Sequence, residues 1–142
     1  MNSALASAYS LGVLAELNFE EIIAAESDRT AVEKLKKLEL KNTKAHCANL
    51  YLETELDSLL FKAKNSEVLV LDPPREGMKD LSTVCTRLRK LEYVYYISCN
   101  LATFSRDAKS LIDCGFILEE VQPVDLFPQT PHVEVLATFK KR

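Results

Sequence analysis

The sequence predicts an α/β fold, in which helices cover both faces of a largely parallel sheet. From about residue 19 onward, segments with the pattern of strands alternate with segments of helical periodicity, as in consecutive βαβ units. The segment at residues 67–72 is continuously apolar, which is typical of a parallel strand buried on both faces. It stops at Asp72-Pro73-Pro74, because proline cannot extend the hydrogen-bond ladder.

The elements are predicted in a regular order along the chain. Strands are expected at residues 19–25, 44–48, 67–72, 93–98, 116–121 and 133–139, and helices at residues 27–40, 53–64, 80–90 and 103–113. Ser27 is the predicted N-cap of the first of these helices, and Ala31, Leu35 and Leu38 form its predicted apolar stripe.

The first 19 residues have a different pattern. Leu5, Ala8, Leu11 and Ala15 recur at helical spacing, so an atypical N-terminal helix is expected over residues 1–19. The whole chain, residues 1–142, is expected to form one domain, because its length and its 47% hydrophobic content suffice for one buried core.

Composition argues against several classes of protein. The net charge of −3 provides no general attraction to phosphate. The four cysteines form no C-x-x-C pair, so no metal site is expected. The apolar runs are far shorter than the ~20 residues that cross a bilayer, and the first residues do not read as a signal peptide, so we expect a cytoplasmic protein without a membrane span.

Side chains that could bind a ligand or take part in catalysis follow several predicted strands. Glu26, Asn49, Asp72 and Cys99 lie at or just after strand ends, where the ligands of parallel α/β sheets bind, so they are expected to line one crevice. Cys99 precedes a helix, whose N-terminus favours a nucleophilic thiolate; a small buried residue is the commoner role of an arbitrary cysteine. Asp72 either binds a ligand or caps a turn, and Glu134 is either solvated or functional.

Three segments, in order, resemble the RNA uracil-5-methyltransferases, which modify transfer or ribosomal RNA. They are D-P-P-R-E-G at 72–77, Y-I-S-C-N-L-A-T at 96–103 with R-D at 106–107, and D-L-F-P-Q-T at 125–130 with H-V-E at 132–134. The resemblance runs from about residue 22 to residue 139. It implies a Rossmann-like class I methyltransferase sandwich of three layers, S-adenosyl-L-methionine as the cofactor and RNA as the substrate.

The resemblance also implies roles for the candidate residues. Cys99 corresponds to the family's nucleophile, and Glu134 corresponds to its base. Asp72 would help to order the methyl donor and the target base. Glu26 would bind the ribose hydroxyls of the donor, and Asn49 would contact the edge of its adenine.

The N-terminal part departs from the family pattern. Residues 1–19 lack the Gly-rich donor loop D-x-x-x-G-x-G, and the first, central strand is expected to be missing. The apolar strands at 22–25 and 68–71 would then either pair directly or be covered by a second copy of the chain in a homo-oligomer. The alternative function is a non-catalytic or truncated module that keeps the fold without binding the donor.

Overall fold

The computed structural model describes residues 3–7, 19–124 and 133–142. The strands in these ranges are β1 (Ser3–Ser7), β2 (Glu21–Glu26), β3 (Thr43–Cys47), β4 (Val68–Leu71), β5 (Tyr93–Ser98), β6 (Phe116–Val124) and β7 (Glu134–Lys141). The helices are α1 (Arg29–Lys37), α2 (Glu53–Lys62), α3 (Leu81–Arg87) and α4 (Leu101–Asp113). The expected alternation of strands and helices is confirmed in the described residues, and none of their helices has the length and hydropathy to cross a lipid bilayer.

The strands form one sheet in the order β3-β2-β1-β4-β5-β7-β6. The first five strands of the chain are mutually parallel in this sheet. Because their carboxyl ends meet at one edge, the loops that follow β2, β3, β4 and β5 lie on the same side of the molecule.

The expectation that the central strand is missing is wrong. β1 fills the position between β2 and β4, and Ala4 pairs with Ile22 on one side and Val68 on the other. The helix predicted over residues 1–19 is therefore wrong for residues 3–7, whereas residues 8–18 lie outside the described ranges. Since β1 covers both strand edges, the reason for expecting a covering second copy disappears.

The last strand runs against its neighbours. β7 is antiparallel both to β5 and to β6, and it lies between them. Its first residue, Glu134, therefore lies at the sheet edge where β5 ends. This reversal is how a residue late in the chain reaches the edge formed by the earlier parallel strands.

Two cores lie on opposite faces of the sheet, as expected for a three-layer sandwich. The larger core contains apolar side chains of α2, α3 and α4, such as Leu60 and Leu111, packed on sheet residues such as Tyr96 of β5. The smaller core contains Phe19, Ile22, Ala24, Val68 and Val70, with Leu35 of α1 packed against it.

Helix α1 differs in detail from its prediction. It ends at Lys37 rather than at residue 40, and its N-cap is Asp28, whose carboxylate accepts hydrogen bonds from the amides of Thr30 and Ala31. Its buried residue is Val32. Leu38, predicted for the apolar stripe, is 62% exposed because it lies beyond the last turn.

Candidate active site

The predicted site residues lie along one edge of the sheet. Glu26 ends β2, Asn49 follows β3, Asp72 directly follows β4, Cys99 directly follows β5, and Glu134 begins the antiparallel β7. Three of them, Glu26, Asn49 and Asp72, line the same cavity. Cys99 and Glu134 are not among its lining residues, so they form a second part of the edge.

The cavity lies at the ends of β2, β3 and β4 and has a volume of about 140 Å³. Its walls are largely apolar, with Leu50, Leu71 and Met78 among the lining residues. Its polar groups include the side chains of Glu26 and Asp72. Apolar walls with a few polar groups are typical of sites for small organic ligands.

Glu26 is held in place by the turn that follows it. Its Oε1 accepts hydrogen bonds from the amide of Ser27 at 2.7 Å, the hydroxyl of Ser27 at 3.2 Å and the amide of Asp28 at 3.3 Å. The Ser27 hydroxyl donates to Glu26, and the N-cap of α1 is the next residue, Asp28. Among the described residues, Glu26 Oε2 has no hydrogen-bond partner, and it remains available to a ligand.

Asn49 shapes the turn between β3 and α2. Its side-chain Oδ1 accepts a hydrogen bond from the backbone amide of Tyr51 at 3.0 Å, and its backbone amide donates to Glu55 Oε2 at 2.7 Å. The side chain therefore has a structural task of its own at the cavity wall. Its side-chain nitrogen Nδ2 has no hydrogen-bond partner among the described residues and can contact a ligand.

Asp72 is a half-buried carboxylate among other acids. Its pKa is raised, first by burial and then by the negative charges of Glu134 and Glu26. Because both glutamates act on Asp72, the three carboxylates form one electrostatic group along the edge. A cationic ligand would be stabilised there.

Cys99 and Glu134 are related by the register of β5 and β7. Ser98 and Val135 form the last pair of the antiparallel ladder, and Cys99 and Glu134 are the next residues outward on the two chains. Cys99 is exposed, and Glu134 is half-buried.

The loop after Asp72 is tied to the start of α4. Asn100 is the N-cap of α4, and its Oδ1 accepts a hydrogen bond from the amide of Ala102. The Nδ2 of Asn100 and the hydroxyl of Thr103 both donate to the carbonyl of Arg75, at 3.1 and 3.0 Å. Sequence reasoning missed this connection, although both donors lie within four residues of Cys99.

Two parts of the predicted site fall in ranges that the structure does not describe. The D-L-F-P-Q-T segment at 125–130 and His132 lie outside the described residues, as does the region between β1 and β2 where the family has its donor loop. In the described ranges, no three His, Cys, Asp or Glu side chains are grouped so that they could hold a metal ion.

The sheet order, with one antiparallel strand inserted between β5 and β6, defines a class I methyltransferase. Solved methyltransferases share this fold, including the precorrin-6Y C5,15-methyltransferase of Geobacter metallireducens, with a TM-score of 0.67 over 100% of this chain and 82% of that chain at 15% identity. The profile of the tRNA (uracil-5-)-methyltransferase family matches residues 53–142, and the chain belongs to this family.

Individual relatives agree with this assignment. An uncharacterized RNA methyltransferase of Nitrosomonas europaea is 38% identical over 92% of this chain and 33% of its own length. One of Fusobacterium nucleatum is 30% identical over 99% of this chain and 32% of its own length. The chain thus spans about a third of these relatives.

A solved structure with a related sequence supports the same family. The tRNA (uracil-54, C5)-methyltransferase of Pyrococcus abyssi, in complex with S-adenosyl-L-homocysteine, superposes with a TM-score of 0.75 at 27% identity. The match covers 98% of this chain and 34% of that chain.

Proposed function

We propose that this chain is the catalytic part of an S-adenosyl-L-methionine-dependent methyltransferase that acts on C5 of uracil in transfer or ribosomal RNA. Cys99 is the nucleophile and Glu134 the proton acceptor. The supporting observation is the register of β5 and β7: the pairing ends at Ser98 and Val135, and Cys99 and Glu134 are the next residues outward, at the edge that also carries Asp72. The complex of the Pyrococcus abyssi relative with S-adenosyl-L-homocysteine supports the donor.

The residues of the cavity fit the methyl donor. The carboxylate of Glu26 has one oxygen without a partner among the described residues, which suits the ribose hydroxyls, and apolar walls such as Leu50 suit the faces of a purine. Asn49 lies at the same cavity for the adenine edge, and Asp72 orders the donor and the target base. When bound, the donor supplies a methyl group on a positively charged sulfonium, which the acids around Asp72 stabilise.

A nucleophile is needed because C5 of uracil is itself a poor carbon nucleophile. The thiolate of Cys99 adds to C6, and the electron pair of the C5–C6 double bond moves into an enolate with density at C5. C5 then forms a bond to the methyl carbon, and the bond between that carbon and the sulfonium sulfur breaks. The adduct now carries both a methyl group and a hydrogen at C5.

A base is needed to release the product. The carboxylate of Glu134 removes the proton at C5, the electron pair of that bond restores the C5–C6 double bond, and the thiolate of Cys99 leaves C6. Nucleophile and base must therefore reach adjacent carbons of one pyrimidine ring. Positions directly beyond the Ser98–Val135 pair favour this arrangement, because paired residues of antiparallel strands have Cα atoms about 4.5–5.5 Å apart.

The RNA must present the target outside a helical stack. A thiolate approaches C6 from one face of the base, and a paired, stacked uracil has no free face, so the nucleotide is flipped or unpaired. The net charge of −3 gives the chain little general affinity for RNA. Recognition of the RNA therefore depends on the site and on specific contacts.

The experiment uses RNA that contains 5-fluorouridine, together with S-adenosyl-L-methionine. Fluorine at C5 cannot be removed as a proton, so the adduct with Cys99 stays covalent and migrates as a protein–RNA band on a denaturing gel. Wild-type protein should form this band, and Cys99→Ala should not. Cys47→Ala is the matched control, because Cys47 is also an exposed thiol, and it should form the band normally.

Glu134→Gln tests the role of the base separately from that of the nucleophile. With ordinary uridine RNA this variant should transfer the methyl group but accumulate the covalent adduct, because the C5 proton is not removed. Normal release of 5-methyluridine by Glu134→Gln, or normal turnover by Cys99→Ala, would contradict the mechanism.

A non-catalytic module remains the second candidate, because residues 1–19 lack the motif D-x-x-x-G-x-G. Calorimetric titration with S-adenosyl-L-homocysteine separates the two candidates. Saturable binding supports the enzyme, whereas absence of binding favours the module.

A further inference from the structure

Asp107 of α4 is the only buried charged side chain among the described residues, with 1% exposure. Its Oδ2 accepts hydrogen bonds from the amide of Met78 at 2.7 Å and the hydroxyl of Tyr96 at 2.5 Å, and its Oδ1 accepts one from Arg106 Nε at 2.9 Å. A buried carboxylate is very unfavourable unless it is paired and hydrogen-bonded in this way. Its partners show what it holds together: the loop after Asp72, strand β5 and helix α4.

Arg106 extends these contacts along the loop. Its Nη2 lies 2.8 Å from Asp107 Oδ1 and donates hydrogen bonds to the carbonyls of Glu76 at 2.8 Å and Met78 at 3.3 Å. The guanidinium therefore binds the carboxylate and two carbonyls of the loop at once. Its planar arrangement of donors suits this task, which a lysine ammonium cannot reproduce.

Side-chain donors also bind two further carbonyls of the loop. The Arg75 carbonyl accepts hydrogen bonds from Asn100 and Thr103, and the Gly77 carbonyl accepts one from the Tyr51 hydroxyl at 2.6 Å. The loop pairs with no strand in the described part of the chain, so these bonds, together with the one from the Gly77 amide to the Pro74 carbonyl, hold its shape. Most of them come from the first two turns of α4, the helix that begins directly after Cys99 and Asn100.

We infer that Arg106 and Asp107 are positioning residues that fix Asp72 relative to Cys99, an inference that rests on the proposed function of the site. Asp72 is joined to the anchored carbonyl of Arg75 through Pro73 and Pro74, whose rings restrict the backbone. The helix that begins directly after Cys99 and Asn100 therefore also helps to determine where Asp72 lies. Loss of either positioning residue should misplace Asp72 without removing any group that touches the substrate.

The first test measures amide hydrogen exchange in Asp107→Asn. Exchange of the Gly77 and Met78 amides should rise by on the order of a hundredfold, while the amides of β5 stay protected. Asp113→Asn is the matched control, because Asp113 is an exposed acid of the same helix that is paired with Lys109, and it should leave the loop unchanged. Unchanged loop exchange in Asp107→Asn, or equal acceleration throughout the protein, would overturn the inference.

Arg106 provides a second variant in case Asp107→Asn does not fold. The side chain of Arg106 is 53% exposed, so Arg106→Gln spares the core and should accelerate exchange of the same amides. Arg106→Lys restores the charge but not the planar set of donors, and it should recover part of the protection.

The second test is a double-mutant cycle with Asp72→Asn, measured as turnover on RNA and as affinity for S-adenosyl-L-homocysteine. Asp107→Asn should lower turnover by about 100-fold in the wild-type background, because small misplacements of reacting groups have effects of this size. In the Asp72→Asn background it should have little further effect, since it acts through Asp72. Equal effects in both backgrounds would indicate a merely structural role and would refute the inference.

The two proposals fail in different ways. A wild-type protein that forms no 5-methyluridine contradicts the proposed function. In that case the role of Asp107 is still decided by the affinity for S-adenosyl-L-homocysteine in the double-mutant cycle and by hydrogen exchange of the loop amides. A wild-type protein that methylates RNA normally, with additive effects in the cycle, refutes only the positioning role.

Discussion

The sharpest perturbation of the loop is Gly77→Ala. Gly77 has φ of +71°, in the left-handed region that an alanine adopts only with strain. A Cβ at this position would lie 2.5 Å from Asp107 Oδ2 and 2.7 Å from Arg106 Nη2. Asp107 cannot move aside freely, because its carboxylate is buried and bonded to Met78 and Tyr96.

The expected loss of stability has two contributions. The left-handed backbone costs about 1–2 kcal/mol for alanine, and displacing the buried carboxylate from a donor costs about 1–3 kcal/mol more. Gly77→Ala should therefore lower the free energy of unfolding by about 2–5 kcal/mol. The midpoint of urea denaturation, followed by circular dichroism, should fall while the slope stays unchanged.

Gly115→Ala is the matched control. Gly115 also has a left-handed backbone, with φ of +89°, but the nearest atom to its Cβ would be Lys141 Nζ at 3.7 Å. This variant should therefore lose only the backbone contribution of about 1–2 kcal/mol. Equal destabilisation by the two substitutions would refute the claim that Asp107 and Arg106 hold the loop rigidly.

Three other perturbations test the edge of the sheet. Asp72 has a raised pKa, so its charged form is disfavoured in the folded state. Asp72→Asn should therefore raise the free energy of unfolding at pH 7. The gain should disappear below the ordinary aspartate pKa of about 3.9, where Asp72 is protonated in both the folded and the unfolded protein. A lower melting temperature for Asp72→Asn at pH 7 would contradict this. Glu26→Gln should weaken calorimetric binding of S-adenosyl-L-homocysteine by about 10–100-fold, whereas the exposed Glu33→Gln should not; equal affinities would exclude Glu26 from the donor site. Asn100→Ala removes the cap of α4 and should lower the free energy of unfolding by about 1 kcal/mol, and an unchanged thermal midpoint would contradict that role.

Where local pattern and tertiary environment agree, the sequence predicts the fold closely. The prediction for β5 matches its observed bounds, Tyr93–Ser98, because side chains alternate between more and less buried positions along the strand. Helix α2 also begins where expected, at Glu53, and ends two residues earlier. These elements have enough apolar residues at the right period for local reasoning to succeed.

β1 shows where local reasoning fails. Its residues, S-A-L-A-S, include no β-branched or aromatic side chain, so their spacing is equally compatible with a helix. The position between β2 and β4 decides the conformation, because two strands with unpaired edges provide partners for its backbone. No window of a few residues contains that information.

The candidate site also has features that the sequence predicts and features that it does not. The position of Glu26, Asp72 and Cys99 at one edge could be predicted, because parallel strands bring their carboxyl ends together. The contacts of Arg106 with the loop could not, because they join residues 28 and 30 positions apart in the chain. The N-cap of α1 is also one residue later than predicted, and the Ser27 hydroxyl donates to Glu26.

The reversed direction of β7 has a consequence for the order in which the protein is made. Translation delivers Cys99 and its supporting loop before the strand that begins with Glu134, and domains start to fold during synthesis. On the proposed mechanism, a domain in which the β6–β7 hairpin has not yet docked holds a thiol able to capture RNA but lacks the group that sets it free. On that mechanism, docking of β7 would add the base that releases the methylated RNA from Cys99.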